Sequence, residues 1–195
     1  MLKSLDNFFT TLVLKIPQKI TPNKVTWIRI FLIPLIWALY QINPWAATGV
    51  FALVAATDFV DGRLARARNI VTEYGKKLDI TCDLTLVWST VILLLYEGVI
   101  PVNSFLFWLL VFMLVRETIL MAIRELFQVV ADDVRVNKLG KCKTASFMLG
   151  LVVLLTSTVW SYGASVGTGL IALAAVCSLI SGIQYIQQFS KSSLD

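Results

Sequence analysis

The sequence predicts an all-α integral membrane domain, with six transmembrane helices preceded by an amphipathic helix at the membrane interface. Three observations predict it. Apolar residues make up 57% of the 195 and charged residues 15%, with a mean hydropathy of +0.79, whereas soluble domains sit near ~45–50% apolar. Six apolar stretches are long enough, alone or with a polar extension, to cross a hydrocarbon core about 30 Å thick. Lysine and arginine are missing from every second connection between them.

In the first twenty residues, Leu5, Phe8, Phe9, Leu12, Val13 and Ile16 follow helical spacing beside Lys3, Lys15 and Lys19. That pattern predicts a helix lying on the membrane surface, with packing against the rest of the protein as the alternative. The segment lacks the compact apolar region and small-residue cleavage site of a secretory signal. The spans follow at about 25–42, 45–67, 75–96, 102–127, 140–161 and 166–188, within one domain covering 1–195. Asn43-Pro44, Gly98 through Pro101 and Ser161 through Gly169 supply the turn residues. Pro34 falls inside the first span, where neighbours must satisfy the carbonyl it frees.

Charge sets the orientation. The connections at 43–44, 97–101 and 161–169 hold no Lys or Arg. Sixteen of the seventeen basic residues lie in the N-terminal segment, the 63–77 connection, the 116–143 region or the C-terminal tail. The positive-inside rule therefore puts both termini in the cytoplasm. The net charge of +5 follows from that bias and from attraction to anionic headgroups, and it calls for no nucleic acid.

Cys82, Cys142 and Cys177 show no CxxC pairing, and their scattered placement argues against a disulfide framework or a zinc site. There is no histidine. Chemistry in this chain must run on carboxylates and hard cations.

The carboxylates are ordered. The second span runs into Asp58-Phe59-Val60-Asp61-Gly62-Arg63-Leu64-Ala65-Arg66, and the third opens with Gly75-Lys76-Lys77-Leu78-Asp79-Ile80-Thr81-Cys82-Asp83. Residues three or four apart share a helix face, so Asp58 pairs with Asp61 and Asp79 with Asp83. Counting from Trp45 at the outer side, Asp58 lies about 20 Å in, and Asp83 lies roughly 21 Å in from Glu97. Asp61 and Asp79 come out at about 24 and 27 Å. Two antiparallel helices thus bring four acids to one level near the cytoplasmic edge. An aspartate at a membrane helix centre costs ~2.5–3.5 kcal/mol, so something positive must offset the cluster. Oxygen-only ligands suit Mg²⁺, Mn²⁺ or Ca²⁺, of which carboxylate-bound Mg²⁺ usually works on substrate phosphates, and salt bridges to Arg63, Arg66, Arg68, Lys76 and Lys77 are the alternative.

These residues resemble the CDP-alcohol phosphatidyltransferase family, whose signature is D-x2-D-G-x2-A-R-x8-G-x3-D-x3-D. Asp58, Asp61, Gly62, Ala65, Arg66, Gly75, Asp79 and Asp83 match every fixed position. The resemblance implies that the four aspartates bind two divalent ions, Mg²⁺ or Mn²⁺, that grip the pyrophosphate of CDP-diacylglycerol. It implies that Asp83 is also the general base, Arg66 lies near the phosphates, and Gly62 and Ala65 make room for the cytidine. Thr72, Asn23 and Thr26 are implied as further nucleotide contacts. It also implies a homodimer, and a bacterial inner or cell membrane as the location.

Arg116-Glu117-Thr118, Arg124-Glu125 and Val136 through Thr144 look like the phosphatidylglycerophosphate synthases within that family. This implies glycerol 3-phosphate as acceptor. A phosphorylated acceptor needs cationic partners, and Arg116, Arg124, Lys141 and Lys143 are the candidates. Ile80, Leu84 and Phe147 depart from the subfamily pattern, so inositol phosphate, inositol, serine and choline stay open as acceptors. Intramembrane acids also mark ion pathways, which leaves a metal-ion or small-solute transporter as the non-enzymatic alternative.

Overall fold

The computed structural model describes residues 22–67, 72–126 and 138–192, and the expected N-terminal amphipathic helix lies outside them. Among the described residues the regular elements are six helices: α1 Pro22–Ile42, α2 Pro44–Ala67, α3 Glu73–Tyr96, α4 Phe105–Leu126, α5 Lys138–Leu155 and α6 Gly163–Ser192. Lys77–Tyr96, Phe105–Ile123 and Gly163–Gln184 are long and apolar enough to cross a bilayer, and Thr26–Ile42 and Pro44–Thr57 are shorter apolar stretches. Phe31, Leu53, Phe105, Trp108 and Ile183 face outward from these helices. Large apolar side chains on the outside are what a protein solvated by lipid presents. The chain is a membrane protein.

Turn chemistry sets the joints. Asn43 Oδ1 accepts from the backbone N–H of Trp45 at 3.0 Å and of Ala46 at 3.4 Å. Asn43 therefore caps α2, with Pro44 at the first helical position where its missing N–H does no harm. Thr72 caps α3 by accepting from the Gly75 N–H at 3.0 Å. Gly98, at φ 70°, ends the α3 side of the next turn in the left-handed conformation glycine tolerates. Ser104 Oγ caps α4 through the Phe107 N–H at 3.2 Å.

The helix bounds part from the expected spans most clearly at the fifth and sixth. The fifth span was expected to run to 161, but α5 stops at Leu155. The hydroxyls of Thr156 and Ser157 donate to the carbonyls of Val153 and Leu154 at 2.8 and 2.7 Å, offering the backbone an alternative to helix. α6 begins at Gly163, inside the stretch expected to be loop, because the chain turns tightly there: a Cβ on Gly163 would stand 2.8 Å from the Ser157 Cα.

The chain gathers into two compact units, Met1–Leu93 and Leu94–Asp195. In the first, α1 packs along α2, burying Ile36, Tyr40, Ala47, Phe51 and Val54. In the second, α6 packs along both α5 and α4. Opposed glycines set the α5–α6 approach. A Cβ on Gly150 would meet Ile171 Cγ1 at 2.7 Å and the Gly167 carbonyl at 3.3 Å, and one on Gly167 would meet Leu154 Cγ at 2.7 Å. Small residues that let backbones close up are the usual means of helix association in lipid, where no hydrophobic effect drives helices together.

Candidate active site

Among the described residues, each unit holds a charged cluster. In the first, Arg29 reaches from α1 to α3, donating from Nη2 to Asp79 Oδ1 at 2.9 Å and from Nη1 to Asp83 Oδ1 at 3.1 Å. The arginine side chain is 1% exposed, against 38% for Asp79 and 31% for Asp83. One turn before Arg29, the Thr26 carbonyl accepts from the Cys82 thiol at 3.5 Å. Thr26 and Arg29 on one helix thus meet Asp79, Cys82 and Asp83 on the other, and the i, i+4 spacing of the acids lets one guanidinium bridge both.

This pairing differs from the salt bridges considered from sequence, which drew on residues 63–77. Among the described residues, a counter-charge to Asp79 and Asp83 comes from Arg29, to which the sequence assigned no role. The available signal was an arginine inside an apolar span, where a charge requires a partner.

Asp58, Asp61, Gly62, Ala65 and Arg66 lie in the last turns of α2, whose backbone is helical through Ala67; their side chains are outside the described residues. The same holds for Asn23 in the first turn of α1. Thr26 is buried. Thr72 is exposed and serves as the α3 cap, and Gly75 takes that cap's hydrogen bond. The two described carboxylates offer oxygen donors only and keep about a third of their surface open. Their donor chemistry fits a hard divalent cation such as Mg²⁺ or Mn²⁺.

In the second unit, Glu117 Oε1 accepts from Arg116 Nη1 and from Lys143 Nζ, both at 2.6 Å. Two residues expected to serve together therefore converge, Arg116 from α4 and Lys143 from α5, and both meet at a carboxylate that had no expected role. Two cations around one anion leave an excess of one positive charge. Arg116 also contacts α6, where its Nη2 donates to the Ser178 carbonyl at 2.8 Å and to Ser181 Oγ at 2.9 Å. Lys141 stands exposed in the first turn of α5, and the Arg124 side chain is outside the described residues.

A second unforeseen pairing sits beside this network. The Cys142 and Cys177 sulfurs lie 3.7 Å apart, both as free thiols. They immediately precede Lys143 and Ser178 in the chain. Sequence spacing alone carried no sign of it, because the pairing depends on how α5 and α6 register.

A family model described as CDP-alcohol phosphatidyltransferase matches residues 19–180. The CDP-diacylglycerol–glycerol-3-phosphate 3-phosphatidyltransferase of Rickettsia typhi is 34% identical over 177 residues, covering 87% of this chain and 97% of its own. The enzyme of the same name from Pseudomonas fluorescens is 32% identical, covering 85% of this chain and 88% of its own. A CMP-forming cardiolipin synthase of Oryza sativa is 36% identical over 72% of this chain and 47% of its own. With the signature complete from Asp58 to Asp83 and the match running through all six helices, the chain belongs to the CDP-alcohol phosphatidyltransferase family.

Proposed function

We propose that this protein transfers the phosphatidyl group of CDP-diacylglycerol to glycerol 3-phosphate, yielding phosphatidylglycerophosphate and CMP in phospholipid biosynthesis. The observation that carries the choice of acceptor is the convergence of Arg116 and Lys143 on Glu117. That cluster keeps surplus positive charge and further N–H donors for a phosphate, a group that binds best through charge-assisted hydrogen bonds. Relatives bearing this enzyme's name over nearly their whole length support the same reading.

Asp58, Asp61, Asp79 and Asp83 would hold two divalent ions, Mg²⁺ or Mn²⁺. When bound, such ions neutralise the pyrophosphate oxygens and ease departure of CMP. Arg66 is assigned to the phosphates, Gly62 and Ala65 to the space beside the cytidine, and Asn23, Thr26, Thr72 and Gly75 to the rest of the nucleotide lipid. Arg29 grips Asp79 and Asp83 through Oδ1 and so orients both carboxylates. Asp83 accepts the proton of the acceptor hydroxyl. That oxygen bonds to the β-phosphorus as the bond from phosphorus to the CMP oxygen breaks. Arg116 and Lys143, with Arg124 and Lys141, hold the acceptor phosphate and bring its hydroxyl to bear.

The same reading places the chain in the membrane with six spans and both termini in the cytoplasm, as a homodimer. The decisive experiment measures CMP release from CDP-diacylglycerol against a panel of alcohols. Turnover that requires both glycerol 3-phosphate and Mg²⁺ or Mn²⁺ supports the assignment, and turnover with inositol, serine or choline alone sinks it. The likeness to a cardiolipin synthase makes phosphatidylglycerol the second acceptor to test. A phosphate monoester carries more negative charge than that lipid's diester, which favours glycerol 3-phosphate at the Arg116–Lys143 pair.

A further inference from the structure

The guanidinium of Arg116 is divided between two tasks. Both N–H groups of Nη2 go to α6, to the Ser178 carbonyl and Ser181 Oγ. The Ser181 hydroxyl donates in turn to that same Ser178 carbonyl at 3.0 Å, closing a small ring of hydrogen bonds. Nη1 gives one N–H to Glu117, which leaves its second N–H to stand beside the two that Lys143 has not given to Glu117. The Nη2 edge is an anchor, and the Nη1 edge faces the rest of the cationic cluster.

The next residue on α6 completes the anchor. A Cβ on Gly182 would lie 3.1 Å from Arg116 Nη2, 3.2 Å from Nε and 3.6 Å from Cζ. Glycine inside a helix is disfavoured against alanine by roughly 1 kcal/mol, so its presence needs a reason. Gly150, Gly163 and Gly167 answer to neighbouring backbone and apolar side chains, whereas Gly182 abuts a cation. The missing methyl lets the guanidinium lie against the α6 backbone, and Nε, buried without a hydrogen-bond partner among the described residues, is covered there.

We propose that Ser181 and Gly182 are positioning residues for the acceptor: they seat Arg116 on α6 so that its Nη1 edge is preset, with Lys143, to receive a phosphate monoester. The proposal rests on the reading of Arg116 and Lys143 as the acceptor's phosphate site. A free arginine side chain carries about 2 kcal/mol of rotamer entropy. Ordering it before the ligand arrives removes that loss from the binding step. The seat therefore acts on acceptor affinity and has no direct bearing on CDP-diacylglycerol.

The test uses the full chain in detergent or nanodiscs, with each substrate varied at saturating levels of the other and inorganic phosphate added as a competing anion. Ser181→Ala and Gly182→Ala should each raise KM for glycerol 3-phosphate about tenfold, the loss expected for one hydrogen bond to a charged group. Both should weaken inhibition by inorganic phosphate in parallel and leave KM for CDP-diacylglycerol within about twofold. Ser181→Thr, which keeps the hydroxyl, should restore the acceptor KM. An unchanged acceptor KM in both alanine variants, or a fall in kcat alone, overturns the proposal. Should Gly182→Ala fail to fold, Ser181→Ala decides the matter, because it adds no atom. If the unsubstituted protein uses no glycerol 3-phosphate at all, the acceptor assignment fails separately. Calorimetric binding of inorganic phosphate then judges the seat: weaker binding in the variants supports it and equal binding refutes it.

Discussion

The guanidinium of Arg29 holds the carboxylate of Asp83 at 3.1 Å across 54 residues of sequence. Asp79, one turn earlier on α3, takes the other nitrogen. Replacing Arg29 with Gln should remove the guanidinium that bridges the two acids. Because misplacement of a reacting group by about 1 Å can cost about 100-fold, kcat for CMP release should fall by that order. Arg29→Lys, which supplies charge without the two-pronged fork, should recover only part of the loss. Wild-type kcat in Arg29→Gln would show that the bridge has no bearing on turnover.

Asp83→Asn keeps the shape of the side chain and removes its basicity. Turnover should drop by about 10²- to 10⁴-fold, the range for a general base. Binding of the nucleotide lipid, followed by equilibrium titration with a labelled CDP-diacylglycerol, should largely persist. Retained activity would take Asp83 out of its role as base.

Chelation gives a separate check on the acids as a set. Dialysis against EDTA should abolish CMP release, and Mg²⁺ or Mn²⁺ should restore it. The site's oxygen-only chemistry suits hard ions. Full activity after exhaustive chelation would argue for carboxylates serving in ion pairs alone.

The 3.7 Å separation of Cys142 and Cys177 predicts that a mild dithiol oxidant such as diamide will join them. Thiol titration before and after should show two of the three cysteines lost, and peptide mass mapping should find α5 linked to α6. Cys142→Ser should block the linkage. Failure of the unsubstituted protein to cross-link would contradict the observed register of these helices.

Gly150→Leu tests the opposed glycines. The added bulk meets Ile171 and the Gly167 backbone, and overpacking of this kind costs about 1–3 kcal/mol. A lower Tm in detergent is expected, whereas Gly169→Ala, at a glycine with open space around it, should leave Tm near that of the unsubstituted chain.

The helices were legible in the sequence because apolar run length and turn residues act locally: Asn43-Pro44 and Gly98 mark their joints by their own conformational rules. The i, i+4 spacing of Asp79 and Asp83 was legible for the same reason. Arg29 was not, since its partners lie on another helix and only packing brings them within reach. Glu117, quoted with Arg116, received no role because there it reads as an ordinary neighbouring ion pair, while its second partner, Lys143, is 26 residues away. Cys142 and Cys177 looked unrelated until two helix registers aligned them. The end of α5 was misplaced because Thr156 and Ser157 fit a span by composition, and their hydroxyls end it by bonding backward.

Arg29 also bears on the order in which the chain can settle. Ribosomal synthesis delivers α1 about fifty residues before the acids that will hold its arginine. Thr26–Ile42 is a short apolar stretch, and a bare guanidinium within it disfavours hydrocarbon by ~2.5–3.5 kcal/mol at mid-helix. Until α3 emerges, that side chain must bend toward water or headgroups. The arrival of Asp79 and Asp83 lets α1 turn the charge inward, so the third helix made bears on the rotational setting of the first.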